Sequence, residues 1–308
     1  MRTTTPKIAI VGPTAIGKTA LAIKLAEKIA AEIISVDSMQ VYRYMDKGTA
    51  KPSNHELRRI PHHLIDVVFP DEIYHAGRFV DEAKAAIKII ESSGKIPLLV
   101  GGTGLYLKGL LEGIFELPEI APQIRKHVQQ RFEHLGSKTM HQMLTALDPS
   151  IASKIHPNDS QRIMRGMEIF EATGKPWSFF LQQQKKKLPQ NFLLIGLTAE
   201  RTLLYERINR RSRLMIEEGL VEEVQNLLHM GYIATLHSMQ SIGYRHVLEF
   251  LEKQRDMRQT IDLLARDTRR YAKRQYTWFR RMQQIEWFEY QDERKIFDRV
   301  RSFLNSFY

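Results

Sequence analysis

KIAIVGPTAIGKTALAIKLAEKIA, residues 7–30, holds the three parts of a phosphate-binding unit in order. A short apolar strand opens it, a glycine-bearing turn follows, and an Ala/Leu/Lys segment from about 17 to 30 has helical periodicity. Between strand and helix, Gly12, Pro13, Thr14, Ala15, Ile16, Gly17, Lys18 and Thr19 match G-x-x-x-x-G-K-[ST] at every fixed position. The glycines let backbone N–H groups converge on phosphate oxygens, at a helix N-terminus whose partial positive charge favours the same anion. Lys18 adds a point charge, and the Thr19 hydroxyl can ligate Mg²⁺. Such a P-loop specifies a phosphate or diphosphate. It does not specify the reaction.

Further along, 32–37 is a second apolar run, and 62–68 (HHLIDVV) offers another short strand. An amphipathic helix over 76–93 ends at Gly94, and 96–102 (IPLLVGG) has the character of a buried strand. Phe192–Thr198 restores the strand pattern, and 285–290 is a late strand candidate. Strands alternating with helices predict an α/β fold: a P-loop NTPase-like parallel sheet core with helices on both faces. From about 115 to 190 the strand pattern stops, Pro118 and Pro122 break the chain, and Gln-, Lys- and His-rich helical patterns take over. This predicts an inserted all-helical subdomain at 115–190, in a core of 1–114 and 191–308.

With 43% apolar and 26% charged residues over 308 positions, disordered and fibrous architectures are excluded. No stretch approaches the roughly 18 consecutive apolar residues of a membrane helix, and the start MRTTTPKIAIVG lacks a signal-peptide pattern. No membrane association and a cytoplasmic location are therefore expected. Cysteine is absent, which removes disulfides, thiolate zinc sites and a cysteine nucleophile together. His62, His63 and His75 show no metal-ligand spacing, and no heptad pattern advertises a partner copy, so a monomer is expected.

The net charge of +11 is concentrated. Residues 265–281, ARDTRRYAKRQYTWFRR, hold seven basic side chains against the single acid Asp267. A polyanionic partner follows from that cluster: a cationic face suits a phosphodiester backbone. Tyr271, Tyr276, Trp278 and Phe279 either stack splayed bases or anchor the helix in the core. At the other end of the chain, Asp37 closes a strand that a parallel sheet would set beside the P-loop. There it can act as a general base or as an outer-shell magnesium partner. The turn at 101–104 (GGTG) should lie on the same edge, and one of Arg207, Arg210, Arg211 and Arg213 can close over the anion.

Seven segments carry a family likeness: GPTAIGKT (12–19), SVDSMQVYRYMDKGTAKP (35–52), VGGTGLYLKGL (100–110), NDSQRIMRGMEIFEATGKPWS (158–178), RLMIEEGLVEEV (213–224), SIGYRHV (241–247) and AKRQYTWFRR (272–281). In that order they closely resemble the tRNA dimethylallyltransferase (tRNA isopentenyltransferase) family. The resemblance implies transfer of a dimethylallyl group from dimethylallyl diphosphate to N6 of the adenine beside the anticodon, with Mg²⁺ as cofactor. It makes Gly12 to Thr19 the diphosphate loop, Asp37 the general base, and Thr19 and Arg211 helpers of the leaving group. Contacts to tRNA are implied for Asp37, Ser38, Met39 and Gln40, for Thr103, and for Gln161, Arg162, Ile163, Met164 and Arg165. They are implied as well for Gly243, Tyr244 and Arg245, and for Lys273, Arg274, Gln275, Tyr276, Thr277, Trp278, Phe279 and Arg280. The helical insert would grip the anticodon stem-loop.

Two positions depart from the family pattern. Ile16 stands where a small residue is common and would narrow the diphosphate site, and Ser160 replaces a proline and would loosen a turn. Two other readings remain open on the residues alone. One is a P-loop kinase acting on a nucleotide or RNA, with ATP bound at the loop; the other is a non-enzymatic RNA-binding protein.

Overall fold

Apolar strands without a polar face need cover on both sides, and the computed structural model, which describes residues 5–113, 120–183 and 190–307, supplies it. Six strands form one sheet: β1 (Lys7–Val11), β2 (Ala31–Val36), β3 (His62–His63), β4 (Ile96–Gly101), β5 (Phe192–Thr198) and β6 (Ile285–Glu289). Every pairing is parallel, in the order β3-β2-β4-β1-β5-β6. The helices are α1 (Lys18–Ile29), α2 (Asn54–Arg59), α3 (Ala76–Ser92), α4 (Gly104–Glu112), α5 (Pro122–Leu147), α6 (Pro149–Ala152), α7 (Ser160–Thr173) and α8 (Trp177–Gln183). After β5 come α9 (Arg201–Glu217), α10 (Leu220–His229), α11 (Tyr244–Leu251) and α12 (Met257–Phe279), and after β6 α13 (Glu293–Asn305).

The expected strand at 62–68 shrinks to two residues. Leu64 and Asp66 take positive φ values of 63° and 56°, which turn the chain out of the sheet, and Val68 returns only as a single bridge to Tyr42. On one sheet face Ile8, Ile10, Leu98, Val100 and Ile195 pack with Leu21 and Leu25 of α1, Leu204 and Ile208 of α9, and Ile296 and Val300 of α13. The alternate residues Ala9, Ile34 and Leu99 are equally buried, and α3 lies against β2 and β4. Each such side chain contributes about 1.5–3 kcal/mol by leaving water. Truncating Leu98 to alanine at the centre would cost about 2–5 kcal/mol.

The chain divides into two compact units: Met1–Leu111 with Pro189–Tyr308, and Glu112–Leu188. The second unit is helical in its described residues, with a core of its own around Val128, Met140, Leu144, Ile151, Ile163 and Met167. Gly136, at φ 74°, breaks α5 within its length. Asp159 caps α7 by accepting the Arg162 N–H at 3.2 Å. Ser160 is the first helical residue, directly after that cap. Among the described residues no helix is long and apolar enough to cross a membrane.

Candidate active site

β2, β4 and β1 are neighbours, so their C-terminal ends deliver residues 37–40, 101–104 and 12–19 to one edge of the sheet. Gly17 precedes α1 at φ 103°, a conformation that side-chain-bearing residues avoid. Its turn aims the unpaired N–H groups and positive end of α1 into a cleft of about 700 Å³. The walls include Thr14, Lys18, Thr19, Asp37, Arg207, Arg211, Tyr271 and Gln275. Ile16 is not among them. Its side chain is fully buried in the core beneath the loop, so it does not narrow the cleft as its size had suggested.

Lys18 Nζ donates to the carbonyls of Gly12 (3.0 Å) and Pro13 (2.8 Å). Burial pushes its pKa down to about 7; Asp37 pulls it back up and Arg211 pushes it further down. Asp37 Oδ1 accepts the N–H groups of Met39 (2.8 Å) and Gln40 (3.2 Å), a turn that orients the carboxylate. Both bonds fall on one oxygen, so the other retains acceptor capacity. The neighbouring Ser38 N–H donates to Thr103 Oγ1 at 3.1 Å, tying this turn to the one after β4. Gln40 fixes the next loop, its amide nitrogen donating to the carbonyls of Thr49 (3.4 Å) and Ala50 (3.3 Å).

α9 brings two arginines over the loop. Arg211 Nη1 donates to Thr14 Oγ1 at 3.2 Å, and Arg207 Nε donates to the Ala15 carbonyl at 2.9 Å, its guanidinium 4.8 Å from the centre of the Tyr290 ring. Four residues apart, they share one helix face. Burial lowers the Arg211 pKa, yet a guanidinium stays charged at any working pH. Arg210 lines the cleft from an exposed position, and Arg213 is exposed. The spacing of Arg207 from Arg211 was the sequence signal for a pair where a single arginine was expected.

The Thr19 hydroxyl and the Asp37 carboxylate line the same cleft and are hard oxygen donors. Oxygen donors of this kind would suit a divalent cation. No group of three or more metal-ligating His, Asp or Glu side chains occurs among the described residues, so the fit is to a cation bound together with a phosphate substrate.

The residues expected at an RNA surface divide by burial. On α12 and just beyond it, Arg266, Arg270, Lys273, Arg274, Thr277 and Arg280 are exposed, with Arg266 and Arg270 leaning on Asp267. Asp267 also pairs with Arg245 at 2.5 Å. Tyr276 is an anchor: its hydroxyl accepts the Ala199 N–H (3.1 Å) and donates to Thr198 Oγ1 (3.3 Å). Trp278 lies half-buried against Gly104. In the helical unit Gln161 and Arg162 are exposed, Met164 packs on the core, and Arg165 pairs with Glu168 at 3.1 Å. Ile163, Tyr244, Gln275 and Phe279 are buried, so their side chains lie outside the exposed surface, Gln275 in the wall of the cleft. Sequence reasoning also passed over Glu223 on α10. Its carboxylate accepts the N–H groups of Asp46 (3.0 Å), Lys47 (2.8 Å) and Gly48 (3.3 Å) and the Tyr244 hydroxyl (2.5 Å), pinning the loop that follows Gln40.

The sequence model of the IPP transferase family matches residues 40–282. The chain belongs to the IPP transferase family. A tRNA dimethylallyltransferase of Desulfotalea psychrophila is 50% identical over 300 residues, covering 97% of this chain and 96% of that protein. Its counterpart in Carboxydothermus hydrogenoformans is 48% identical over 285 residues, covering 92% and 91%. Among solved structures, a full-length tRNA isopentenylpyrophosphate transferase from Bacillus halodurans superimposes with a TM-score of 0.74 at 38% identity, over 99% of this chain and 98% of that one. A eukaryotic dimethylallyltransferase acting on tRNA gives a TM-score of 0.80 at 30% identity, over 94% and 75%. The P-loop NTPase-like parallel sheet is the fold of this family.

Proposed function

We propose that this protein transfers the dimethylallyl group of dimethylallyl diphosphate to N6 of the adenine adjacent to the anticodon of tRNA, releasing diphosphate. One observation carries this reading: a single cleft holds a cationic phosphate loop and one oriented carboxylate, Asp37. The adenine N6 attacks the allylic carbon, the carbon–oxygen bond breaks, and its electron pair leaves with the diphosphate. Asp37 takes the proton that N6 loses. Negative charge growing on the departing oxygens meets Lys18, Arg207, Arg211 and the N–H groups at the start of α1. Bound Mg²⁺, held by Thr19 and the diphosphate itself, would supply further neutralisation of that charge. An adenine amine stacked in a helix is unreachable, so the base must be flipped out of the anticodon loop into the cleft. The exposed cations of α12 suit the phosphates of the stem-loop.

The experiment is label transfer. Unmodified tRNA is incubated with labelled dimethylallyl diphosphate or, separately, with γ-labelled ATP. Label from the prenyl donor alone is the expected outcome. Label from ATP would establish a kinase, and label from neither an RNA-binding protein.

A further inference from the structure

α12 presents two different faces. Lys273, Arg274 and Thr277 are exposed, whereas Tyr271 and Gln275, one turn apart, line the cleft. Gln275 is only 5% exposed, and its amide is bonded at both ends. Its oxygen accepts the Thr14 N–H of the phosphate loop at 2.8 Å, and its nitrogen donates to the Gly102 carbonyl at 3.0 Å. A Cβ at position 102 would collide with that nitrogen, so glycine there is what lets the amide through. Gly102 is joined through its own peptide to Thr103. Thr103 in turn holds the N–H of Ser38, the residue next to Asp37. Three hydrogen bonds, Ser38 to Thr103, Gln275 to Gly102 and Thr14 to Gln275, thus join the Asp37 turn to the phosphate loop through the backbone of 102–103.

We infer that Gln275 is a positioning residue for prenyl transfer: through the turn at 102–103 it sets the distance between Asp37 and the phosphate loop. The inference rests on the transfer reaction proposed above. Attack on the allylic carbon needs the reacting atoms about 3–3.5 Å apart and in line, so the turn carrying the base and the loop carrying the leaving group must be held in register. They leave the sheet on different strands, and β4 lies between them. Spanning the gap requires a side chain that accepts at one end and donates at the other. An amide does both; a carboxylate or a thioether of similar size does not.

Gln275→Met keeps the volume and removes both bonds. Gln275→Glu keeps the acceptor, and its carboxylate faces the Gly102 carbonyl without a proton to donate. Thr103→Val, which keeps the side-chain shape and removes the acceptor of the Ser38 N–H, covers the case in which a Gln275 variant does not fold. With saturating tRNA, kcat should fall about ten- to a hundredfold in the Gln275 variants, and less in Thr103→Val, while the tRNA Kd stays within about twofold. Once protonated, the carboxyl introduced by Gln275→Glu can donate to the Gly102 carbonyl as the amide does. The ratio of kcat in Gln275→Glu to wild type should therefore rise as pH falls, a recovery that Gln275→Met lacks. Wild-type kcat in the variants, or a loss confined to tRNA affinity, would overturn the inference and, in the second case, return Gln275 to the RNA surface. Wild-type protein that transfers no prenyl group would instead overturn the proposed function.

Discussion

In the free protein, Lys18 sits among loop carbonyls with its pKa pushed down to about 7 by burial. A bound diphosphate brings negative charge to the same ammonium and restores its proton. Above neutral pH the complex therefore carries a proton that the free protein has lost. At pH 8 Lys18 is about nine-tenths neutral before binding, so binding of dimethylallyl diphosphate without tRNA should take up about 0.9 proton. The donor Kd should rise about tenfold for each unit between about pH 7.5 and 9, and level off below 7 as far as this group is concerned. Titration calorimetry at pH 8, in two buffers of different ionisation enthalpy, reads the uptake directly. Lys18→Met should abolish it and flatten the pH dependence. An unchanged wild-type Kd from pH 7 to 9, or no proton uptake, would refute the placement of this charge. The free protein responds in the same window. The unfolded chain holds the Lys18 proton up to its ordinary pKa, so wild type should gain stability relative to Lys18→Met as pH rises from about 7 to about 10.

Asp37→Asn preserves the turn acceptor and removes the base. It should lower kcat about 10²–10⁴-fold in single-turnover assays with little change in tRNA Kd; near-normal turnover would remove Asp37 from the chemistry. Replacing Lys273, Arg274 and Arg280 together should weaken tRNA binding and flatten its log–log salt dependence by about one unit or a little less per contact, read by filter binding with a melting curve as control. An unchanged slope would exclude these cations from the docking face. Glu223→Ala leaves the buried Tyr244 hydroxyl without its acceptor and releases the 46–48 loop, and should cost about 1–3 kcal/mol in denaturant unfolding, with Glu223→Gln less damaging.

The parts legible in the sequence were those written locally. The phosphate loop is one contiguous motif, and β1, β2, β4 and β5 show as apolar runs because a parallel sheet buries both faces of its inner strands. Asp37 stood out because it ends such a run. What could not be read were contacts between remote segments. Thr14 and Gln275 are 261 positions apart, Arg207 and Ala15 are 192, and Glu223 meets its loop across about as many. Nothing in AKRQYTWFRR distinguishes the buried Gln275 from the exposed Lys273 until the helix is rotated against the sheet. A short strand was overestimated for a related reason. Leu64 and Asp66 leave the sheet through positive φ, a backbone choice that their side chains do not announce.

The late position of α12 has a consequence for synthesis. The phosphate loop and the Asp37 turn are translated within the first 40 residues, but the amide that ties them arrives with residue 275 of 308. Both ends of the tie therefore exist long before the amide that joins them, and the helix that supplies that amide also carries the exposed Lys273 and Arg274.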